Sequence, residues 1–260
     1  KEDYNEIKSG EFKLPAIAPY ESYKLPIDTV IKDAVTGAEY FVDLKFSDEN
    51  DTLIAYKQVS LGIISPKGKL SFDYDSFEIK ENENYISLLS KDAKLRFDKG
   101  MLCYYEKNGK VILDEPMKLN IYRAPIDNDG VVNWAERWIT KWNKHLYRYF
   151  DFFPFENKVE NAENGEVKIT FKGKFAPISK FVGFDLDIVY TILKDGKILI
   201  DMHGVPYGEF AETLPRIGVI FTLSSKFENA TWYGRGEDEC YNDILDHCNF
   251  GLYSKNIKDM

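Results

Sequence analysis

Alternation of apolar and polar residues is the strongest pattern in this chain. It runs through Phe184–Ile192, and a second alternating run follows Asp195-Gly196. A period of two places every second side chain on the same face of a strand. The pattern therefore predicts a long antiparallel hairpin with one buried face. Asn108-Gly109 and Asn164-Gly165 offer the same turn chemistry, because a two-residue type I′ turn needs positive φ at both positions.

Further short runs of strand-like composition recur along most of the chain. They are Glu39–Phe46, Leu53–Leu61, Tyr85–Leu89, Val111–Leu113, Val167–Phe171 and Ile217–Leu223. Short strands separated by turn signals are typical of sandwiches rather than of alternating βαβ units. Aromatic residues make up 15% of the chain, which favours strands and large packed faces. The predicted fold class is all-β.

One short helix interrupts this pattern. Asn133 is a candidate N-cap, and Glu136 follows three residues later, as in a capping box. Trp134, Trp138 and Trp142 recur at a spacing of four and so share one helical face. Two interpretations stay open: the three rings anchor the helix to a sheet, or they form an aromatic platform for a sugar ring.

Composition excludes several classes of function. The 260 residues carry a formal net charge of −9, which argues against nucleic acid or an anionic membrane as the main partner. No apolar stretch is long enough for a transmembrane helix, and the first residues lack the apolar core of a signal peptide. The low, odd cysteine count fits a reducing compartment, so a cytoplasmic location is predicted. Cys240, His247 and Cys248 lack a second pair of ligands, so no zinc site is expected.

A domain boundary is predicted near Gly62. The preceding segment holds too few strands for a complete sandwich, and a new series of strands begins after it. The predicted domains are therefore residues 1–62 and residues 63–260.

The densest group of candidate functional residues is the loop Arg123–Gly130, with sequence RAPIDNDG. Three interpretations compete. Asp127 and Asp129 could act as an acid and base, but they are too close in sequence for the usual separation across a sugar. They could bind calcium, but the EF-hand pattern is absent. They could also cap turns and hold Arg123 through charge-assisted hydrogen bonds.

Two further motifs lie closer to the C-terminus, and neither indicates a reaction by itself. Leu214–Val219 reads LPRIGV, and Trp232–Gly236 reads WYGRG and is followed by an acidic run that would repel phosphate. The three histidines have no nearby G-x-S-x-G or similar signature, so an acyl-transfer triad has no support.

Taken together, these motifs resemble the C-terminal part of bacterial β-galactosidases of glycoside hydrolase family two. RAPIDND is followed by Trp134 and Trp138, then by LPRIGV and WYGRG, and then by Tyr241 and Asp243. Upstream, the run LIAYKQ at 53–58 is similar to the last strand of the family's immunoglobulin-like domain. The likeness covers residues 10–260.

The resemblance implies a fold and an incomplete enzyme. Residues 1–62 would be the tail of an immunoglobulin-like sandwich, and residues 63–260 a C-terminally truncated galactose-mutarotase-like supersandwich. The family hydrolyses terminal β-D-galactosides with retention, using two glutamates in a TIM barrel. That barrel would precede residue 1, together with the family's magnesium and sodium ions. No catalytic residue, metal or cofactor is therefore expected in this chain, which would be a fragment.

The resemblance also implies a role for the RAPIDND loop. In the family this loop lies at the mouth of the active site, so Arg123, Asp127, Asn128, Asp129 and Gly130 are expected near the substrate. The implied partners are a β-galactoside sugar and the catalytic barrel, with a homo-oligomer left open, and neither nucleic acid nor a membrane. The alternative is a stand-alone carbohydrate-binding or structural module.

Overall fold

The computed structural model describes residues 2–35, 37–62, 77–82, 85–130, 137–161, 166–193, 196–238, 240 and 244–260. Across this part of the chain the fold is all-β, as predicted, with antiparallel pairing in every sheet and one short α-helix. None of the helices in the described ranges is long and apolar enough to cross a membrane.

The strands, in chain order, are β1 (Phe41–Ser47), β2 (Leu53–Ser60), β3 (Glu78–Glu81), β4 (Tyr85–Leu89), β5 (Ala93–Asp98), β6 (Met101–Lys107), β7 (Lys110–Val111), β8 (Lys118–Asn120), β9 (Asp151–Asn161), β10 (Val167–Ala176), β11 (Val182–Ile192), β12 (Ile198–Gly208), β13 (Gly218–Ile220), β14 (Asn229–Gly236) and β15 (Asn249–Asn256). The helix α1 spans Trp138–Lys144. Short 3₁₀ turns lie at Asp127–Gly130, Tyr147–Tyr149, Leu245–His247 and Ile257–Asp259.

Contacts within the chain form two compact units. The first contains Lys1–Leu70 and Phe227–Met260, and the second contains Ser71–Lys226. The last pair of strands thus groups with the N-terminal segment. The predicted domain limits near Gly62 stay a prediction.

The second unit is built on two sheets that share one core. The five-stranded sheet has the order β3-β4-β5-β6-β7, and the four-stranded sheet has the order β12-β11-β10-β9. Alternate residues of β5 are buried, and so are Leu186, Ile188, Tyr190 and Ile192 of β11. This confirms the predicted alternation along Phe184–Ile192. The buried residues of both sheets belong to one hydrophobic cluster.

The turns follow the predictions in part. Asn108 and Gly109 both have positive φ and join β6 to β7 as a two-residue turn, as predicted. Lys99-Gly100 forms a second such turn between β5 and β6 that the sequence analysis missed. Asp195 of the predicted turn at Asp195-Gly196 lies outside the described residues, so that turn stays a prediction. The strands on either side pair antiparallel, with Ile192 opposite Ile198, as the predicted hairpin requires.

The turn between β9 and β10 contains Asn164-Gly165 and lies outside the described residues. The two strands themselves pair antiparallel, from Asn161 opposite Val167 onwards. That predicted turn stays a prediction.

The first unit is held by a side chain that acts as a backbone substitute. The Gln58 amide on β2 donates to the carbonyl of Phe250 on β15 at 2.9 Å. In return, the N–H of Phe250 donates to the Gln58 side-chain oxygen at 2.7 Å. The Phe41 and Phe250 rings stack at 5.2 Å between centroids. The hairpin β1-β2 and the hairpin β14-β15 are therefore joined by both polar and apolar contacts.

The two glycine turns beside β6 give a matched pair of substitutions. Gly109→Ala adds a methyl group to open space at φ +72°, so we expect a loss of about 1–2 kcal/mol from backbone strain alone. At Gly100 a Cβ would also lie 2.6 Å from Phe152 Cε1, so Gly100→Ala should lose about 2–4 kcal/mol. Urea unfolding measures both losses.

The control is Gly218→Ala, where φ is not positive and no atom lies within 4 Å of the added Cβ. It should change the free energy of unfolding by no more than about 0.5 kcal/mol. Equal losses at Gly100 and Gly109 would contradict the role of Phe152.

Candidate functional site

The RAPIDND loop begins three residues after the end of β8 and ends in a tight turn. Strand β8 pairs with β13, so the strand of the LPRIGV motif lies beside the strand that leads into RAPIDND. After Pro125 the chain enters the 3₁₀ turn Asp127–Gly130, and Asp129 N–H donates to the carbonyl of Ile126 at 3.0 Å. Two of the sequence motifs are therefore connected through one pair of strands.

A bidentate ion pair closes this loop. The Nη1 of Arg123 donates to Asp129 Oδ2 at 2.7 Å, and Nη2 donates to Oδ1 at 3.1 Å. Oδ2 also accepts the backbone N–H of Ile126 at 2.7 Å, while Nη1 donates to the carbonyl of Ala124 at 3.0 Å. Only 4% of Asp129 is exposed. Such paired geometry is stronger and more directional than a surface ion pair.

The environment of Asp129 keeps its carboxylate charged. Burial by itself raises the pKa of Asp129, but the hydrogen bonds from Arg123 and from Ile126 N–H lower it by more. The pKa of the folded state therefore lies below the ordinary value. Asp129 is accordingly an ionised structural group and not a proton donor at neutral pH.

The other face of Arg123 contacts the helix. Its guanidinium lies 5.4 Å from the ring centroid of Trp142, a cation–π contact. Trp142 is 1% exposed, and its Nε1 donates to the Thr213 hydroxyl at 3.4 Å. The loop, the helix and the segment before the LPRIGV strand are thus joined around one arginine and one tryptophan.

Two more contacts fix the helix to the same segment. Lys141 Nζ lies 2.7 and 2.8 Å from the two carboxylate oxygens of Glu212. Just beyond the helix, the hydroxyl of the buried Tyr147 accepts the N–H of Ala211 at 2.8 Å. The helix is therefore held at both its exposed and its buried side.

The predicted platform of three tryptophans divides. The helix begins at Trp138, with Arg137 as an N-cap that makes no side-chain capping bond. Trp134 and the predicted cap Asn133 lie outside the described residues. The Trp142 ring is enclosed in the core, whereas Trp138 is 43% exposed at 6.4 Å from it. Burial favours the anchoring interpretation for Trp142. Of the two platform tryptophans that the structure describes, Trp138 is the one with an accessible face.

The predicted loop residues also separate into two groups. The half-buried Arg123 and the buried Asp129 come together as an ion pair, here called the brace. Asp127 and Asn128 are exposed, and Gly130 is half-buried. Within the described residues no hydrogen bond or ion pair involves the side chains of Asp127 and Asn128. The two aspartates thus lie in different environments, and within the described part of the chain the Asp127 carboxylate and the Asn128 amide face solvent.

Sequence reasoning missed the partners of the helix. Thr213 and Glu212 are both 71 residues away from the helical residues that they contact. No local pattern points to them. The one signal in the sequence that could have pointed to these two residues is that they directly precede the LPRIGV motif.

The WYGRG motif lies in the first unit, on β14. Arg235 Nη1 donates to the carbonyls of Cys248 at 2.8 Å and Leu245 at 3.2 Å, and its guanidinium lies 4.9 Å from the Phe250 ring. This arginine fixes the connection between β14 and β15. Tyr241 and Asp243, which accompany the motif in sequence, lie outside the described residues.

The described ranges contain no group of three or more His, Cys, Asp or Glu side chains that could hold a metal ion. In particular, Asp129 is bound to Arg123 while Asp127 is exposed. The calcium interpretation of the loop therefore has no support from its geometry.

The chain matches the family described as "Beta galactosidase small chain" over residues 90–260. The chain belongs to that family. It is also similar to the β-galactosidase of Actinobacillus pleuropneumoniae, with 29% identity over 97% of this chain and 25% of that protein. The β-galactosidase of Pseudoalteromonas haloplanktis is 24% identical over 98% of this chain and 26% of its own length. The β-galactosidase of Lactococcus lactis is 29% identical over 82% of this chain and 22% of its own length.

The small-chain family match includes the RAPIDND loop, α1, LPRIGV and WYGRG. The chain spans about a quarter of the length of the curated relatives that it matches over nearly its whole length. The resemblance predicted from the motifs is thereby confirmed at the level of the family.

Removing the arginine of the brace should destabilise this small-chain unit. Arg123→Ala leaves the Asp129 carboxylate buried without its main partner, and we expect a loss of about 1–3 kcal/mol in the free energy of unfolding. Urea denaturation followed by tryptophan fluorescence measures it. Asp127→Ala, at an exposed position of the same turn, should stay within about 0.5 kcal/mol of wild type. Equal effects of the two substitutions would contradict the brace.

The brace should also be sensitive to acid. Because the pKa of Asp129 is lowered on folding, its stabilisation is complete above the ordinary value of 3.8 and is lost as the pH falls through the lower folded-state value. Asp129→Asn cannot titrate. The stability gap between wild type and this variant should therefore be largest at neutral pH and shrink in acid. Asn128→Ala is the non-titrating control. If the stability difference between wild type and Asp129→Asn did not change with pH, the predicted acid sensitivity of the brace would be wrong.

Proposed function

We propose that this chain is a non-catalytic, C-terminal part of a β-galactosidase that hydrolyses terminal β-D-galactosides with retention of configuration. The family membership supports this proposal, as does the match to a quarter of several β-galactosidases. The catalytic glutamates and the metal ions of the enzyme would belong to the remaining three quarters. This chain would then contribute one wall of the galactoside pocket and support assembly.

The arrangement of the RAPIDND loop carries the proposal. The ion pair Arg123–Asp129 fixes the turn, and Asp127 and Asn128 are exposed to solvent beside it. A carboxylate accepts hydrogen bonds and an amide both donates and accepts, which suits the recognition of sugar hydroxyls. A turn held in place before binding loses little conformational entropy when it meets its ligand.

The domain assignment belongs to the same proposal. Residues 1–62 would be the tail of an immunoglobulin-like sandwich, and residues 63–260 part of a galactose-mutarotase-like supersandwich. The two-sheet core of the second unit supports the latter assignment. The hydrogen bonds between Gln58 and Phe250 support a close association of residues 1–62 with the C-terminal end of residues 63–260.

Complementation tests the proposed function. The 260-residue chain would be assayed with a chromogenic β-galactoside, alone and mixed with the Actinobacillus pleuropneumoniae β-galactosidase lacking the matched quarter. We expect no hydrolysis by either piece alone and hydrolysis by the mixture. Hydrolysis by the chain alone would overturn the non-catalytic role, and an inactive mixture that has nevertheless associated would overturn the contribution to the pocket.

Variants of the loop separate binding from assembly. Asp127→Ala and Asn128→Ala should raise the KM of the complemented enzyme about tenfold each, at the level of one lost hydrogen bond, without weakening association of the pieces. Asp92→Ala, an exposed carboxylate in the turn between β4 and β5, serves as the control and should leave KM unchanged. Unchanged KM in both loop variants would contradict the proposed wall.

A further inference from the structure

A cluster of two thiols and an imidazole lies between β14 and β15, in the first unit. Cys240 Sγ is 3.2 Å from the carbonyl oxygen of Asp238, and Cys248 Sγ is 3.8 Å from the same oxygen. Neither cysteine is part of a disulfide in this structure. The two side chains also contact each other, because the Cys248 thiol is hydrogen-bonded to Cys240. Two contacting thiols can be joined by a disulfide when their side chains rotate to the required geometry.

The imidazole of His247 lies beside the two thiols, with Nε2 placed to accept a proton from one of them. His247 Nδ1 lies against the carbonyl oxygen of Ile244, which can only accept, so Nδ1 carries the proton. The neutral ring then presents the lone pair of Nε2 to the Cys248 thiol, 3.1 Å away. An imidazole so placed can take the thiol proton directly.

The two thiols differ in accessibility. Cys248 is 2% exposed, and burial, followed by the contact with Cys240, raises the pKa of its thiol to about 11. Cys240 is half-buried and so is the thiol that an external reagent reaches first. A buried thiol with a raised pKa needs a base to react at neutral pH, and His247 supplies one.

The backbone around the cluster is held in place from the opposite side. Arg235 Nη1 donates to the carbonyls of both Leu245 and Cys248, so the ends of the 3₁₀ turn that bears His247 are fixed. The fold therefore fixes the backbone that bears His247 and Cys248. This cluster is independent of the RAPIDND loop and of the proposed galactosidase function.

We propose that Cys240 and Cys248 form a reversible disulfide by exchange with a low-molecular-weight disulfide, with His247 as the base. The Cys240 thiolate attacks one sulfur of the reagent, whose S–S bond breaks and releases the first small thiol. Cys248 then passes its proton to His247 Nε2 and attacks Cys240 Sγ. The mixed disulfide breaks and the second small thiol leaves with that proton. Two protein thiols are oxidised, and one small disulfide is reduced to two thiols.

The test is exposure of the folded 260-residue chain to oxidised glutathione, followed by alkylation and peptide mapping. We expect monomeric chain that has lost about 2 Da, the two hydrogens of the new bond, with Cys240 linked to Cys248. The number of alkylated thiols should fall from three to one after glutathione bound at Cys103 is counted separately. A stable glutathione adduct on Cys240 without the internal link would overturn the proposal.

Three variants assign the steps. Cys103→Ser, in the other unit on β6, is the control and should form the link as wild type does. Cys248→Ser should stop at the glutathione adduct on Cys240. His247→Gln should slow closure about a hundredfold at neutral pH, with the rate recovering as the pH rises and thiolate forms without a base. If His247→Gln closed the disulfide as fast as wild type at every pH, the role of the imidazole as a base would be overturned.

Discussion

Contact between two sheets through three aromatic rings is the constraint on which the second unit depends. Phe97 of β5 lies 4.8 Å from Tyr190 of β11 and 6.3 Å from Phe171 of β10, measured between ring centroids. Strict alternation along each strand is needed to bring these rings to the shared face, since a shift of one residue would turn them outwards. The hydroxyl of Tyr190 donates to the carbonyl of Gly100, so the turn between β5 and β6 is tied to the opposite sheet.

The candidate site inherits its rigidity from this core. Trp142 and Tyr147 are buried in the same hydrophobic cluster as the three rings, and Trp142 in turn lies against the guanidinium of Arg123. Arg123 then fixes Asp129, whose carboxylate holds the N–H of Ile126. A chain of contacts thus leads from the sandwich interior to the RAPIDND turn. Each link is a side chain with little remaining freedom, so the exposed part of the turn keeps a defined geometry.

Local chemistry explains which predictions from sequence were right. Asn108-Gly109 was predicted because both residues tolerate positive φ, while Lys99-Gly100 was missed because lysine gives no such signal, although tertiary pairing imposes the same turn. Arg123 and Asp129 are only six residues apart in sequence, and their ion pair fits the predicted structural role of the loop. The burial of Trp142 agrees with the anchoring interpretation that its four-residue spacing suggested, but its contact with Thr213 spans 71 residues, so neither periodicity nor a motif could reveal that partner.

Polar groups in this protein are divided between those that hold the fold and those that remain available. Asp129 and Gln58 are both committed, one to a guanidinium and one to the backbone of Phe250. Withdrawing either would leave a partner without compensation, which is costly away from water. Asp127 and Asn128 carry the same functional groups without such commitments among the described residues. A carboxylate and an amide that make no such contacts suit the proposed recognition of sugar hydroxyls, and the ion pair Arg123–Asp129 would keep them in a defined geometry for it.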